Sequence, residues 1–194
     1  MTQFPFRWPK TAGTPQISAT PSTAQAGFTL LESLVVVTLI ALLAAIGLPS
    51  WLGFLDQRRV NMTQDSLYQA LRSTQWDATN LRQQQQFSLR ERDGGLEWAS
   101  HSASVSSIQV AHWTPLIDGV TLASEDNTMK QKDGVYYVRF DHEGNLISLR
   151  DLGRVTVVGD GGRLSHRCVI VSTLIGAMRK GQGHHKIQDE RYCY

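Results

Sequence analysis

One carboxylate stands at the edge of a long uncharged segment. Glu32 is followed by a run from Ser33 to Leu55 in which no residue carries a charge. About 20 apolar residues cross a bilayer as a helix, and this run has roughly 23. A carboxylate at the edge of hydrocarbon is costly, so its presence indicates a function. The alternative is a plain single-pass anchor in which Glu32 is incidental.

A second candidate for chemistry is a basic stretch near the C-terminus, where only Asp189 and Glu190 oppose the cations. These cations are Arg163, Arg167, Arg179, Lys180, Lys186 and Arg191. Such residues could contact phosphate groups, although a charge run is more often a solvated surface. The chain as a whole has 19 Lys and Arg against 17 Asp and Glu. Removal of residues 1–27 would take away Arg7 and Lys10 and leave equal numbers of basic and acidic residues. The net charge of the chain therefore does not favour nucleic acid binding.

Other residue types give little indication of catalysis. His184 and His185 are adjacent, and on an extended tail they would point to opposite sides, which is poor geometry for a metal. Trp76, Trp98 and Trp113 could line a groove, but packing is the simpler explanation. The sequence has no Gly-rich phosphate loop and no convincing nucleophile and base set. We therefore expect no enzyme, no metal and no cofactor.

The two cysteines are Cys168 and Cys193. An even pair in an exported domain predicts a disulfide, which would pin the extreme C-terminus to the body of the domain. The alternative is two independent thiols, one buried in a strand and the other in a loose tail.

The N-terminal segment that precedes the uncharged run is a removable leader by composition. Residues 1–27 are rich in Thr, Pro, Ser and Ala, and they contain Arg7 and Lys10 but no acid. Positive charge before the apolar run favours a cytoplasmic leader and an exported C-terminal part. An ordinary signal peptide would be cut after its apolar run, whereas Ala24-Gln25-Ala26 lies before this one.

From Phe28 onward the pattern predicts one long helix in two halves. Residues 28–55 form the transmembrane half, in which Pro49 removes a backbone hydrogen bond and predicts a kink or loosened turn. Residues 56–85 form an amphipathic half that ends in the tract of glutamines at 83–86. Its predicted core face has a helical spacing. It consists of Val60, Leu67, Leu71, Thr74, Ala78 and Leu81.

Residues 86–194 read as a β-rich exported domain with a basic C-terminal tail. Phe87 to Arg92 and Leu96 to Ala99 predict a hairpin around Asp93-Gly94-Gly95. The further predicted strands are short apolar segments separated by turn residues. They are Ile108 to Trp113, Val120 to Ala123, Val135 to Phe140, Leu146 to Leu149, Val155 to Val158 and Cys168 to Ile175. The predicted fold class is α+β, an antiparallel sheet packed on the second half of the helix.

The segment Gly27-Phe28-Thr29-Leu30-Leu31-Glu32, joined to the uncharged run, resembles the N-terminus of type IV prepilins. Residues 26–46 fit that family's signature at every position, and a proline at the distance of Pro49 is also typical of it. The resemblance implies that a prepilin peptidase cuts between Gly27 and Phe28 and that the new amine of Phe28 is methylated. It also implies that Glu32 guides filament assembly by pairing with the N-terminal amine of a neighbouring subunit.

Two later motifs are similar to those of H-type pseudopilins and FimT-type minor pilins (the GspH/FimT family). They are the turn Phe140-Asp141-x-x-Gly144 and the strand from Arg167 to Ser172 that leads into Gly176-Ala177-Met178-Arg179. The implied protein is a non-enzymatic minor pilin or pseudopilin, a single-pass subunit of the inner membrane with its C-terminal domain in the periplasm or at the cell surface. Its implied partners are the prepilin peptidase, other pilins or pseudopilins in a filament and the inner-membrane assembly platform.

The alternative function is that of a DNA-binding minor pilin in natural transformation. Some FimT-type minor pilins bind DNA through a terminal Gly-Arg-x-Arg turn. Here Gly176 and Arg179 match, but Ala177 replaces the first arginine. With one phosphate-pairing arginine missing, sequence-independent binding should be weaker. Arg163, Arg167, Arg179 and Lys180 are the candidate contacts.

Overall fold

The computed structural model describes residues 28–159, 165–188 and 191–194. The chain divides into two units, residues 1–43 and 44–194. In the first unit the described part is almost entirely helical, because the long helix α1 begins at Leu30 and ends at Leu81 in the second unit. The helix assignment continues through Pro49. A local bend at this residue stays a prediction.

In the second unit, ten strands follow α1 among the described residues. They are β1 Gln85–Arg92, β2 Gly95–Ser102, β3 Thr114–Pro115, β4 Thr121–Leu122, β5 Lys130–Lys132, β6 Val135–Phe140, β7 Gly153–Val158, β8 Arg167–Val171, β9 Met178–Gln188 and β10 Arg191–Cys193. They form two five-stranded antiparallel sheets, in the orders β3-β2-β1-β6-β5 and β10-β9-β8-β7-β4.

One buried cluster joins the helix to both sheets. On α1 it contains Val60, Leu67, Leu71 and Ala78, which recur at four or seven residues and so share a face. The first sheet contributes Phe87, Leu89, Val138 and Phe140, and the second contributes Val155, Val157, Val169 and Val171. The predicted fold class, one long N-terminal helix packed on antiparallel β-structure, is therefore confirmed.

The helix ends four residues earlier than predicted, and Leu81 is 59% exposed instead of lying in the core. Arg82 takes a left-handed conformation (φ 49°), and the amide of Gln83 donates to the carbonyl of Ala78. This is the Schellman arrangement, which satisfies the last helical carbonyls. It frees Gln85 to begin β1, so the glutamine tract follows the end of the helix and contains the start of a buried strand.

Three of the predicted strands are wrong in whole or in part. Residues 108–113 form no strand: after the short 3-10 helix Ser107–Gln109 this segment lies across the outer face of the first sheet, where Trp113 packs under Arg90. Leu146 makes a single bridge to Phe140 before another 3-10 helix, Leu149–Asp151. Strand β8 ends at Val171 instead of Ile175, because residues 173–176 turn the chain into β9.

Candidate functional site

The helix begins at the residues that resemble a prepilin cleavage site. Gly27 lies outside the described residues, and Phe28 is 72% exposed. The hydroxyl of Thr29 accepts a hydrogen bond from the amide of Glu32 (3.2 Å), so Thr29 is the N-cap of α1 and Glu32 is its third residue. The exposed Glu32 carboxylate has no ion-pair partner among the described residues, and its place in the first turn suits the helix dipole.

The uncharged run after Glu32 is suited to an apolar surrounding. The helix contains an 18-residue window with a mean hydropathy of 2.5, none of it buried within the chain. The polar side chains in the run bond to the helix itself: Thr38 donates to the carbonyl of Leu34 (2.7 Å) and Ser50 to that of Ile46 (3.4 Å). By length and composition this helix can cross a membrane.

A buried glutamine fixes the second half of α1 to the second sheet. The side-chain amide of Gln64 donates to the carbonyls of Cys168 (2.7 Å) and Gly181 (2.6 Å), which face each other on β8 and β9. Gln64 is 6% exposed. One helix side chain thus binds two adjacent strands at the same register position.

A disulfide lies at the same position of the sheet. The structure joins Cys168 to Cys193, with Cα atoms 6.1 Å apart, and both residues are fully buried. A Cβ at Gly181 would lie 2.8 Å from the sulfur of Cys168, so only glycine fits under this bridge. The disulfide therefore ties β10, at the C-terminus, across β9 to β8.

A second glutamine joins the two turns that were singled out in the sequence. The side-chain amide of Gln75 donates to the carbonyls of Gly144 (2.8 Å) and Gly176 (3.3 Å). Both glycines have positive φ, and a Cβ at Gly176 would collide with the Gln75 amide. The motifs around residues 144 and 176 are thus neighbours, held by one residue of α1.

The three candidate DNA contacts that the structure describes do not share one face of the sheet. Arg163 lies outside the described residues. The Arg167 guanidinium donates to Asn61 (2.7 Å), and burial lowers its pKa, while Lys180 is paired with Asp65 (2.7 Å); both therefore bond to α1. Arg179 is exposed, and because neighbouring residues of a strand point to opposite faces, it lies on the other face of the sheet from Lys180.

His184 and two of the three candidate tryptophans make contacts within the chain. His184 stacks on Tyr194 with ring centroids 3.9 Å apart, and within the described residues no three His, Cys, Asp or Glu side chains cluster as a metal site would require. Trp98 stacks on Phe87 and Trp113 donates to the carbonyl of Val110. Trp76 is 66% exposed, so packing within this chain does not explain it.

Sequence reasoning missed three polar groups that organise the domain: Gln64, Gln75 and the buried pair of Asp126 with Arg154. A signal for the glutamines existed, since both fall on the apolar stripe of α1 at four-residue steps from Val60 and Leu71. Asp126 and Arg154 are 28 residues apart and pair at 2.6 Å. Burial lowers the pKa of Arg154, against the opposing effect of Asp126. No pattern in the sequence predicted that Asp126 and Arg154 would pair.

Comparison with known proteins supports the reading of the N-terminus. Residues 22–48 match the model of the prokaryotic N-terminal methylation motif. No curated protein matches the chain. Among solved structures, the type IV minor pilin FimU of Pseudomonas aeruginosa aligns at 13% identity and a TM-score of 0.45, over 65% of this chain and 90% of that one.

The minor pseudopilin EpsH of the Vibrio cholerae type 2 secretion system aligns at 15% identity and a TM-score of 0.41, over 63% of this chain and 95% of that one. These two likenesses are weak and carry no assignment of their own. The methylation motif coincides with the capped start of α1 and with the uncharged run. The chain thus carries a prepilin-type N-terminus on an α+β fold.

Proposed function

We propose that this chain is a minor pilin or pseudopilin, of the H-type or FimT-type, that is processed by a prepilin peptidase and assembled into a filament. The observation that carries the proposal is the coincidence of the methylation motif at residues 22–48 with a helix whose apolar side chains stay exposed. An apolar helix of this length needs a bilayer before assembly and other helices after it.

The processing step follows from the motif. The peptidase cuts after Gly27, and the amine of Phe28, now the first residue, is methylated. Methylation keeps the positive charge of the amine and adds apolar bulk. The cut also removes Arg7 and Lys10, which held the leader on the cytoplasmic side.

Glu32 supplies the partner for that amine in a neighbouring subunit. Two opposite charges in an apolar surrounding attract strongly, and either of them left unpaired is costly. In the isolated chain the Glu32 carboxylate is exposed and the helix cap is provided by the hydroxyl of Thr29. The carboxylate is therefore available to a second subunit without loss of the cap.

Before assembly the subunit is a single-pass protein of the inner membrane, with residues 56–194 exported. The disulfide between Cys168 and Cys193 fits an oxidising compartment. Its partners are the peptidase, the assembly platform and other pilins or pseudopilins. The domain has no enzymatic role in this proposal; it decorates the filament, and a low-abundance subunit of this kind would help to initiate or tip it.

The test replaces Glu32 by glutamine, which keeps the side-chain length and the Thr29 cap and removes only the charge. Leader cleavage should be normal. Recovery of the subunit in sheared filaments should fall at least about tenfold, because breaking a buried charge pair costs about 3–5 kcal/mol. The matched control is Glu91→Gln, an exposed carboxylate of the β domain. Equal recovery of both variants would remove the role assigned to Glu32.

A deletion strain distinguishes the type of filament. It is scored in parallel for DNA uptake and for enzymes released into the medium. Lost secretion with normal transformation would indicate a secretion pseudopilus. Lost transformation with normal secretion would indicate a type IV pilus and would favour the DNA-binding alternative.

A further inference from the structure

A cleft on the first sheet has the features of a ligand site. It lies on the face away from α1, because its floor is formed by residues that alternate with the buried Phe87, Val138 and Phe140 along β1 and β6. Its walls are the segment 103–108 and the turn between β5 and β6. Its volume is about 280 Å³. The principal lining side chains are Gln86, Ser106, Ser107, Lys132, Tyr137 and Arg139.

The serine-rich wall of the cleft is fixed in place by buried hydrogen bonds. The side-chain amide of Gln86 donates to the hydroxyls of Ser88 (2.9 Å) and Ser107 (2.8 Å). Ser88 also lies within hydrogen-bond distance of His101 Nε2 (2.9 Å) and of Ser107 (3.1 Å). This network links the wall to β1 and β2, so the hydroxyl groups are presented in a preformed arrangement.

Arg139 has more donors than the chain satisfies. One terminal nitrogen donates to Asp151 over 3.3 Å, and Lys130 donates to the same carboxylate over the same distance. The Nε of Arg139 is buried without a partner among the described residues, so a ligand in the cleft would reach the terminal nitrogens, and the side chain is 30% exposed. Because Lys130 already compensates the charge of Asp151, the guanidinium can serve a second anion, and its planar fork suits a carboxylate.

The other lining groups define the class of ligand. Lys132 adds a second cation, against one lining carboxylate, Asp133. Tyr137 lines the floor beside Arg139, whose guanidinium carbon lies 5.8 Å from its ring centroid, and the serines offer donors and acceptors for hydroxyl groups. We propose that this cleft binds a uronic acid unit, with the sugar carboxylate on Arg139 and Lys132 and the ring hydroxyls on the serine wall.

The experiment measures sugar binding to the full chain in lipid nanodiscs that contain no sugar-based detergent. Saturation-transfer NMR is recorded with glucuronate and glucose as probes, and binding of inorganic phosphate, which has no carbon-bound proton, is measured by isothermal titration calorimetry. A ligand of this size should bind with a Kd of about 1 mM. Glucose, which lacks the carboxylate, should bind at least about tenfold more weakly, since a charged hydrogen bond is worth about 1.5–3 kcal/mol.

Two variants separate the cleft from a general loss of positive charge. Arg139→Gln should weaken glucuronate binding about tenfold, while Arg92→Gln, which removes an exposed cation of β1 that does not line the cleft, should change it less than about twofold. If Arg139→Gln fails to fold, Lys132→Gln, at an exposed position, should still weaken binding about threefold. Equal binding of glucose and glucuronate would overturn the proposal. So would binding of phosphate without glucuronate, or unchanged binding in both lining variants.

Discussion

The side chain of Gln64 makes two hydrogen bonds between α1 and the second sheet. We predict that these bonds contribute substantially to the free energy of unfolding. Gln64→Leu would leave the carbonyls of Cys168 and Gly181 without their donor in a site that is 6% exposed. Each buried acceptor left unsatisfied costs about 1–3 kcal/mol, and burial of leucine offsets part of this. We expect the free energy of unfolding to fall by about 2–4 kcal/mol.

The assay is thermal unfolding of the full chain in nanodiscs, followed by near-UV circular dichroism. A domain of this size loses about 2–4 °C in Tm per kcal/mol, so the expected decrease is about 4–16 °C. Gln64→Glu, which keeps the size but cannot donate from its carboxylate, should lower Tm as well. The matched control is Gln69→Leu, the same change at an exposed position of α1, which should stay within about 0.5 kcal/mol of the parent. If Gln64→Leu and Gln69→Leu have the same Tm, the bonds do not carry the stability assigned to them.

Three other changes test separate parts of the account. Gly27→Leu should block leader removal, seen as a band that keeps the leader; normal cleavage would refute the prepilin reading. Cys193→Ser should cost about 3–4 kcal/mol by loop entropy, since the closed loop spans 25 residues of separation; two freely alkylated cysteines in the folded parent would show that the bridge does not form. Arg154→Leu should cost about 3–5 kcal/mol by leaving the Asp126 charge buried and unpaired; denaturant unfolding that gives less than 1 kcal/mol would contradict this.

The parts of the fold that follow from local signals were predictable. The uncharged run after Glu32 predicted the first half of α1. The three- or four-residue spacing of apolar residues between Val60 and Ala78 predicted its buried face. The hairpin of β1 and β2 followed from Asp93-Gly94, where both residues have positive φ, as a type I′ turn requires. These signals lie within a few residues of one another, so no long-range information was needed.

Strands β9 and β10 were not predictable in the same way. The sequence from Arg179 to His184 is polar and Gly-rich, and it reads as a tail. It becomes a strand because β8 offers a partner edge, to which residues 178–182 pair, and because β10 pairs on the other side. The same holds for Lys180, read as a free cation, which is paired with Asp65 of α1. The strand pairs join residues 3 to 15 positions apart, and Lys180 lies 115 positions from Asp65, so these placements depend on pairing partners that the local sequence does not identify.

The candidate site at the start of α1 could be predicted because its functional groups belong to residues that are close together in the sequence. The Thr29 cap and the exposed Glu32 carboxylate follow from four adjacent positions. The glutamine bonds at Gln64 and Gln75 and the cleft around Arg139 depend instead on which strands become neighbours. Sequence periodicity marked the two glutamines as polar exceptions on an apolar face but did not identify the carbonyls that they bind.

The most direct test of the central claim is the intact mass and N-terminal sequence of the chain recovered from membranes of cells with an active prepilin peptidase. The account predicts a chain that begins at Phe28 and carries one added methyl group on its amine, and a chain that keeps its leader when the peptidase is absent. A mature chain that begins after the apolar run, or an uncut chain in the presence of the peptidase, would contradict it.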